Sequence, residues 1–201
     1  MPVELTKIPA PPDPEGPPRK RWTRAECAAL ESSGIWDQQK LELIDGELIS
    51  KMGKSRPHVN ALMKMMFYLA DNFGCDRVNP AAPIDVAPED NASNEPEPDL
   101  IVLRSPSETF TSASPQPHDL ALVVEIADTT LRFDLTVKAA LYARAGVIEY
   151  WVLDLNARRL IVHREPEPAG YRSIVAYSES EKVAPLEAPQ SELSVGDMFR
   201  A

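Results

Sequence analysis

Glycine is scarce in this sequence, and its scarcity limits the kinds of site that the chain could form. Only 8 of the 201 residues are glycine, and they do not form the glycine-rich loop that cradles phosphates or the fingerprint of a dinucleotide site. A nucleophile elbow of the kind used in serine catalysis is also missing. We therefore expect neither an enzyme that depends on an organic cofactor nor a hydrolase with a serine or cysteine nucleophile.

Cysteines and long apolar runs are scarce as well. Cys27 and Cys75 lie far apart without the spacing of a metal site, which predicts two buried free thiols in a reducing compartment. No apolar run approaches the ~20 residues that a bilayer requires. The N-terminus lacks the basic and apolar stretches of a secretory signal. We therefore expect a cytoplasmic protein without a membrane-spanning segment.

Basic residues are outnumbered, which bears on how the chain could bind nucleic acid. The sequence has 21 Lys and Arg against 31 Asp and Glu, with a formal net charge of −10 at pH 7. Non-specific affinity for DNA comes mainly from Lys and Arg on phosphates, so a protein that coats nucleic acid is not expected. A carboxylate cluster that holds divalent cations is itself acidic before the metal binds. The charge therefore leaves a metal-dependent reaction on phosphates open.

Proline marks the part of the chain that we expect not to fold. Residues 1–20 contain seven prolines and almost no apolar periodicity, which predicts a disordered arm. Residues 21–201 contain no internal repeat and no linker, so we expect a single α/β (α+β) domain. Its predicted elements are a capped helix from Thr23 to Ser33, a hairpin over 41–49 with Asp45 and Gly46 at its turn, a helix over 58–73 with Val59, Leu62, Met66, Ala70 and Phe73 toward the core, strands over 84–86, 100–103, 120–126, 149–154, 159–164 and 172–177, and a helix over 131–145 ended by Gly146.

Two carboxylates interrupt the apolar strands. Glu125 lies in a nearly continuous apolar strand, on the face of Ala121 and Val123 by the alternation of strand residues. A lone carboxylate there would cost several kcal/mol unless it is paired, protonated or bound to metal. Asp99 stands at the entrance of the neighbouring strand, directly after Pro98. Because adjacent strands lie ~4.8 Å apart, both carboxylates can converge on one cation.

A lysine interrupts the core-facing stripe of the helix over 131–145. In that stripe Lys138 could balance the carboxylates structurally, or it could lie over a phosphate and stabilise developing charge. Asp134 lies four residues earlier and offers an alternative, a plain ion pair on the helix surface. The stripe consists of Leu131, Leu135, Lys138, Tyr142 and Ala145.

An ordered set of motifs carries a family resemblance. The set comprises Glu97-Pro-Asp99-Leu-Ile-Val, then Val-Val-Glu125-Ile, then the block from Asp134 to Asp154 that contains Lys138, preceded by Glu42-Leu-Ile-Asp-Gly-Glu47-Leu and by His58. In this order the motifs resemble the Uma-type family of restriction-endonuclease-like proteins. The likeness covers roughly residues 22–200, and the strand-helix-strand block from 123 to 154 is its most specific part.

The resemblance implies membership of the PD-(D/E)XK nuclease superfamily, with a restriction-endonuclease-like mixed central sheet flanked by helices and an N-terminal hairpin. Asp99 and Glu125 would then hold one or two Mg²⁺ or Mn²⁺ ions, which would polarise a phosphate and lower the pKa of an attacking water. The superfamily lysine normally lies two residues after the glutamate, where this chain has Ala127, so Lys138 would take its role. Glu47 would be an additional metal ligand.

Three further residues are weaker candidates for the same site. Glu42 is a second acid of the hairpin. His58 could be a metal neighbour, a phosphate donor or a structural histidine at a helix start. Asp128 lies in a turn where family members commonly have a Leu-Ser-Pro-Ser-like sequence, and it could add a metal contact or crowd the site. His118 and His163 have no partner pattern and are expected to be structural.

The expected function is that of a metal-dependent endonuclease acting on DNA. One alternative is a binding or regulatory module on a nuclease fold that has lost cleavage or never had it, because fold analogy alone does not decide function. Another is a metal-dependent hydrolase with a different phosphate substrate. A homodimer would follow from analogy with restriction-type nucleases, in which two sites meet two strands.

Overall fold

The structure is a computed structural model that describes residues 19–34, 41–51 and 55–200. Its strands are β1 (Leu41–Ile44), β2 (Glu47–Ser50), β3 (Val78–Pro80), β4 (Leu100–Leu103), β5 (Leu120–Ala127), β6 (Glu149–Asp154), β7 (Arg159–Glu167), β8 (Gly170–Ser178), β9 (Lys182–Val183) and β10 (Leu193–Ser194). Its helices are α1 (Arg24–Ser32), α2 (Arg56–Phe73), α3 (Leu131–Phe133) and α4 (Ala139–Arg144), and a π-turn (Asp134–Lys138) joins α3 to α4. No helix in these ranges has the length and apolar character that crossing a membrane requires.

The central sheet has six strands in the order β3-β4-β5-β6-β7-β8. Strand β5 pairs in parallel with β6, and the other neighbours pair antiparallel. A parallel pair needs a crossover connection, and the segment α3–π-turn–α4, called the crossover helix below, supplies it. All eight residues of β5 are buried, as expected for a central strand covered on both faces. The predicted mixed α/β fold is therefore confirmed.

Two layers of helix cover the sheet and place Glu125 on a defined face. Helix α2 contributes Ala61, Met65 and Leu69 to one core. The crossover helix contributes Ala139, Tyr142 and Ala143 to the other core, together with Val123 and Ala127 of β5. Glu125 lies two residues from each of Val123 and Ala127 and therefore shares their face of the strand, so its side chain points toward the crossover helix. Ala121 belongs to the opposite core, because an irregularity at Leu103 shifts the strand register there; the expectation that it shares the face of Val123 was wrong.

The N-terminal elements confirm the predicted local signals. Thr23 caps α1, and its side chain and that of Glu26 exchange hydrogen bonds with each other's backbone N–H in a capping box. In the β1–β2 hairpin Ile44 pairs with Glu47. The two turn residues, Asp45 and Gly46, have φ values of 48° and 72°, the positive pair that a type I′ turn requires.

Three expectations outside the site were wrong, the first of them only in part. The fully buried stripe of α2 consists of His58, Ala61, Met65 and Leu69, about one residue out of phase with the predicted stripe, whereas Leu62, Met66 and Phe73 of the predicted stripe are partly buried and pack against the same core. Residues 84–86 are not in a strand; the short edge strand of this region is β3. Cys27 is buried, but Cys75 is exposed. Of the proline-rich arm predicted over 1–20, residues 1–18 lie outside the described residues.

Candidate active site

Asp99 and Glu125 lie side by side on two adjacent strands. Leu100 pairs with Val124 across the antiparallel strands β4 and β5. Asp99, directly before β4, therefore lies beside Glu125 of β5. The Asp99 N–H donates to Oε2 of Glu125 at 3.3 Å. In return, the N–H of Ile126 donates to Oδ2 of Asp99 at 2.9 Å. The two carboxylates are thus fixed by the sheet itself, as the sequence predicts.

His58 lies next to the carboxylate of Asp99. It is in the first turn of α2, whose N-cap Ser55 accepts its backbone N–H. Its Nε2 lies 3.2 Å from Oδ2 of Asp99. The ring is 9% exposed, and within the part of the chain that the structure describes, its buried Nδ1 has no hydrogen-bond partner. The sequence left the role of His58 open; the structure makes it a neighbour of Asp99.

Lys138 reaches the site from the crossover helix. Its Nζ lies 2.9 Å from Oε1 of Glu125 and 3.0 Å from Oε1 of Glu42. The Tyr142 hydroxyl donates to the same Oε1 of Glu125 at 3.3 Å. The Lys138 side chain is 5% exposed and the two glutamates 6%. The lysine therefore does not form the surface ion pair with Asp134 that was considered as an alternative.

Burial and crowded charge shift the proton affinities of this group. Burial raises the pKa of Glu125 to about 8 against the opposing effect of Lys138, and the charges of Asp134, Asp99 and Glu42 add to the rise. Burial would lower the pKa of Lys138, but Glu125, Glu42 and Asp134 raise it above its usual value. Lys138 is therefore a permanent cation at neutral pH, and Glu125 binds a proton more readily than an ordinary carboxylate.

Asp134 is a member of the site that the sequence argument missed. It is 2% exposed, and its Oδ2 accepts from the Thr130 hydroxyl at 2.6 Å. Burial raises its pKa to about 6, although Lys138 and Thr130 act to lower it. The available signal was its spacing from Lys138: residues four apart on a helix share a face, so a core-facing lysine implies a core-facing aspartate.

Glu47 does not join the group, which corrects the expectation that it is a further metal ligand. Its side chain is 53% exposed, and within the described residues it forms an ion pair with Arg21, whose Nη1 lies 4.0 Å away. Glu47 pairs with Ile44 at the turn end of the hairpin, whereas Glu42 lies at the opposite end. The acid of the hairpin that reaches the core is Glu42.

These residues line a cavity of about 510 Å³ that is strongly acidic. Among the described residues, seven carboxylates and two lysines line it. Lys51 is paired with Glu97, whose Oε2 lies 2.9 Å from its Nζ. Asp128 accepts from the Ser55 hydroxyl at 2.6 Å, at the wall of the same cavity. The lining acids are Glu31, Glu42, Glu97, Asp99, Glu125, Asp128 and Asp134.

The donor chemistry of the cavity fits a hard divalent cation. Carboxylate oxygens are the ligands that Mg²⁺ and Mn²⁺ prefer, and in the described part of the lining the acids outnumber the lysines. No three His, Cys, Asp or Glu side chains of residues 19–34, 41–51 and 55–200 are arranged as a ready metal cage. Mg²⁺ commonly binds through one or two carboxylates and keeps several waters, and the donor chemistry of Asp99 and Glu125 is compatible with that mode of binding.

Comparison with known proteins bears on the fold and on the family of the chain. A solved structure with a similar fold is that of a putative nuclease belonging to DUF820 from Anabaena variabilis, with a TM-score of 0.65 and 14% identity over 80% of this chain and 90% of that chain. At that identity the likeness establishes the fold alone. No curated protein matches the chain. The sequence profile of Uma2, described as a putative restriction endonuclease, matches residues 26–196, and the chain therefore belongs to the Uma2 family.

Proposed function

We propose that this protein is a metal-dependent endonuclease that hydrolyses phosphodiester bonds of DNA at the site of Asp99, Glu125 and Lys138. One observation carries the proposal: a buried, permanently charged lysine lies against a carboxylate pair that two adjacent strands hold together. Such a cluster costs folding free energy, and a chain that needed only a stable core would be better served by apolar residues. Family membership supports the nuclease class.

Asp99 and Glu125 are the residues that would hold Mg²⁺ or Mn²⁺. A bound cation would supply a Lewis acid for the phosphate and a water of lowered pKa. The chain's contribution is to orient the two carboxylates, since backbone N–H groups fix Oδ2 of Asp99 and Oε2 of Glu125. His58, at 3.2 Å from Asp99, would restrict the rotation of that carboxylate.

Lys138 would stabilise the negative charge that develops on the phosphate during hydrolysis. Its raised pKa makes it unsuitable as a general base and suitable as a fixed positive charge. Because the Lys138 side chain is only 5% exposed, such a charge is worth more there than it is in bulk solvent. Lys51, on the rim of the cavity, would be a contact for a neighbouring phosphate.

One observation favours the alternative of a nuclease fold that binds without cleaving. Lys51 and Lys138, the two lysines in the described part of the cavity lining, are engaged with carboxylates, so a phosphate would have to compete with those acids. The same observation is compatible with cleavage if the cation neutralises the acids first.

A DNA substrate agrees with the cytoplasmic location expected from the sequence, and the homodimer remains a prediction by analogy.

The test combines cation binding with cleavage. Mn²⁺ and Mg²⁺ are titrated by calorimetry into the wild type, an Asp99→Asn, Glu125→Gln double variant and an Asp45→Asn control at the exposed hairpin turn. The same proteins are then incubated with plasmid, linear and single-stranded DNA. We expect saturable binding and metal-dependent nicking in the wild type and the control, with both lost in the double variant. Binding without cleavage would favour the binding module, and no binding at millimolar cation would overturn the metal site.

A further inference from the structure

Glu42 is the one carboxylate that links the N-terminal hairpin to the centre of the site. It lies in β1, with 6% of its side chain exposed, and its Oε1 is 3.0 Å from Nζ of Lys138. Its other oxygen, Oε2, accepts the backbone N–H of Glu97 at 3.3 Å. Both oxygens of Glu42 are therefore engaged, one by the lysine and one by the segment that leads into Asp99.

The hairpin itself is anchored to that segment. Leu43 forms an isolated bridge with Glu95, and the Glu95 N–H donates to the Leu43 carbonyl at 2.7 Å. Lys51, at the end of β2, contacts both the carbonyl and the carboxylate of Glu97 at 2.7 and 2.9 Å. Glu42 is thus presented by a backbone that is fixed on both sides of it, so its carboxylate has a defined position.

A lysine ammonium needs more than one acceptor to have a defined position. It is a point charge with three donors on a flexible four-carbon stem, and a single carboxylate leaves it free to rotate around that partner. Here Glu125 and Glu42 hold it from two elements, 2.9 and 3.0 Å away. With both glutamates in place, the ammonium is restricted to the wall of the cavity next to Glu125 and Asp99.

We propose that Glu42 is a positioning residue for Lys138, holding its ammonium at the reaction centre without itself contacting the scissile phosphate. The inference rests on the proposed function, in which Lys138 stabilises charge on that phosphate. The hairpin would then position a catalytic side chain, although it lies far along the chain from Asp99 and Glu125. Removing the charge of Glu42 should therefore slow turnover and leave substrate affinity nearly unchanged.

The test observes the Lys138 ammonium by NMR and measures the cleavage kinetics separately. The side-chain ammonium of Lys138 is observed by NMR of ¹⁵N-lysine-labelled protein and is assigned by its loss in Lys138→Arg. Protons of an ammonium held in a buried ion pair exchange slowly and give a signal, whereas those of a mobile one exchange with water. In Glu42→Gln we expect this signal to shift or broaden, kcat on DNA to fall about 10- to 100-fold, and KM to change less than about threefold. Asp45→Asn, an acid-to-amide change on the same hairpin, should leave all three unchanged.

The outcomes separate this inference from the proposed function. An unchanged ammonium signal in Glu42→Gln overturns the positioning role, whatever the cleavage data show. A changed signal in a protein whose wild type cleaves no DNA supports the positioning and overturns the proposed function. A rise in KM with unchanged kcat overturns the inference, because it would mean that Glu42 acts in substrate binding. If Glu42→Gln does not fold, Glu42→Asp keeps the charge and withdraws the oxygens, and the same shift of the signal is required of it.

Discussion

Nζ of Lys138 lies 2.9 Å from Oε1 of Glu125, although one is on the crossover helix and the other on the central strand of the sheet. Both side chains are almost fully buried. A buried charge pair of this kind contributes little net stability when it is intact, but breaking it leaves an uncompensated charge in the interior. The pair therefore links the integrity of the fold to the integrity of the site.

Removing the lysine charge should destabilise the protein strongly. In Lys138→Met the two glutamates lose their common cation, and we expect the free energy of unfolding at pH 8 to fall by about 3–5 kcal/mol. Urea denaturation measures the change. Lys182→Met is the control, since Lys182 forms an exposed pair with Glu192 and should cost less than about 1 kcal/mol. Equal effects of the two changes would contradict the buried pair.

Divalent cations should stabilise the folded protein through Asp99 and Glu125. A ligand that binds only the native state raises stability by about 2.7 kcal/mol at a concentration of 100 Kd. We expect Tm to rise with Mn²⁺ concentration in the wild type and to stay constant in the Asp99→Asn, Glu125→Gln double variant. A similar rise in both proteins would place the cation elsewhere.

His163 should make stability depend on pH in the acid range. It is 1% exposed beside the rings of Tyr150 and Tyr171, at centroid distances of 5.2 and 5.5 Å. Burial lowers its pKa from 6.5 to about 4, while backbone contacts act in the opposite direction. The unfolded state therefore binds the proton first as pH falls. The contribution of His163 is fully present above pH 6.5 and is lost as pH falls from 6.5 to about 4.

The size of that effect follows from the shift. At about 1.4 kcal/mol for each unit of pKa, the native state should lose up to about 3 kcal/mol relative to a variant without the histidine. The measurement compares urea denaturation of wild type and His163→Leu from pH 4 to pH 8. His118→Leu, at an exposed position, should run parallel to the wild type. A constant difference between wild type and His163→Leu at all pH values would contradict a buried neutral imidazole.

Glu149 should be the most sensitive acid outside the site. It is fully buried, and it accepts hydrogen bonds from Trp151, from Arg164 at 2.8 and 2.6 Å, and from the N–H of Leu186. A Gln amide offers one oxygen in place of two, so Glu149→Gln leaves donors unmatched and should cost about 2–4 kcal/mol. Glu165→Gln, in an exposed pair with Arg172, should cost less than about 1 kcal/mol. Chemical denaturation measures both.

Local signals in the sequence were sufficient for most of the fold. The capping box at Thr23 and Glu26, the turn at Asp45 and Gly46 and the apolar run of β5 each depend on neighbouring residues, and the structure has them where the sequence predicts. The predicted stripe of α2 was about one residue out of phase with the fully buried one, because contact with the sheet determines which face of the helix is buried most deeply. Strand β3 was missed because a three-residue edge strand has too few positions to show a pattern.

The site was predictable where a polar residue interrupts an apolar pattern. Glu125 and Lys138 interrupt a strand and a stripe, and Asp99 begins a strand, so all three were visible as exceptions. The choice between Glu42 and Glu47 was not visible, because both point to one face of the hairpin. Which of them reaches Lys138 depends on how the hairpin packs against the crossover helix, and that is a property of the tertiary structure.

The π-turn over Asp134–Lys138 has a consequence for how such chains can change in length. A π-turn closes its hydrogen bonds one residue later than the α-helix does, so this segment holds one residue more than an α-helical turn. Removing one residue there can close the turn to α-helix and leave α3 and α4 in phase. A deletion within α4 would instead rotate its two halves relative to each other by about 100°, the rotation of one α-helical residue, and would turn apolar side chains away from the sheet. Natural variation in the length of the crossover helix should therefore fall in the π-turn and not within α4.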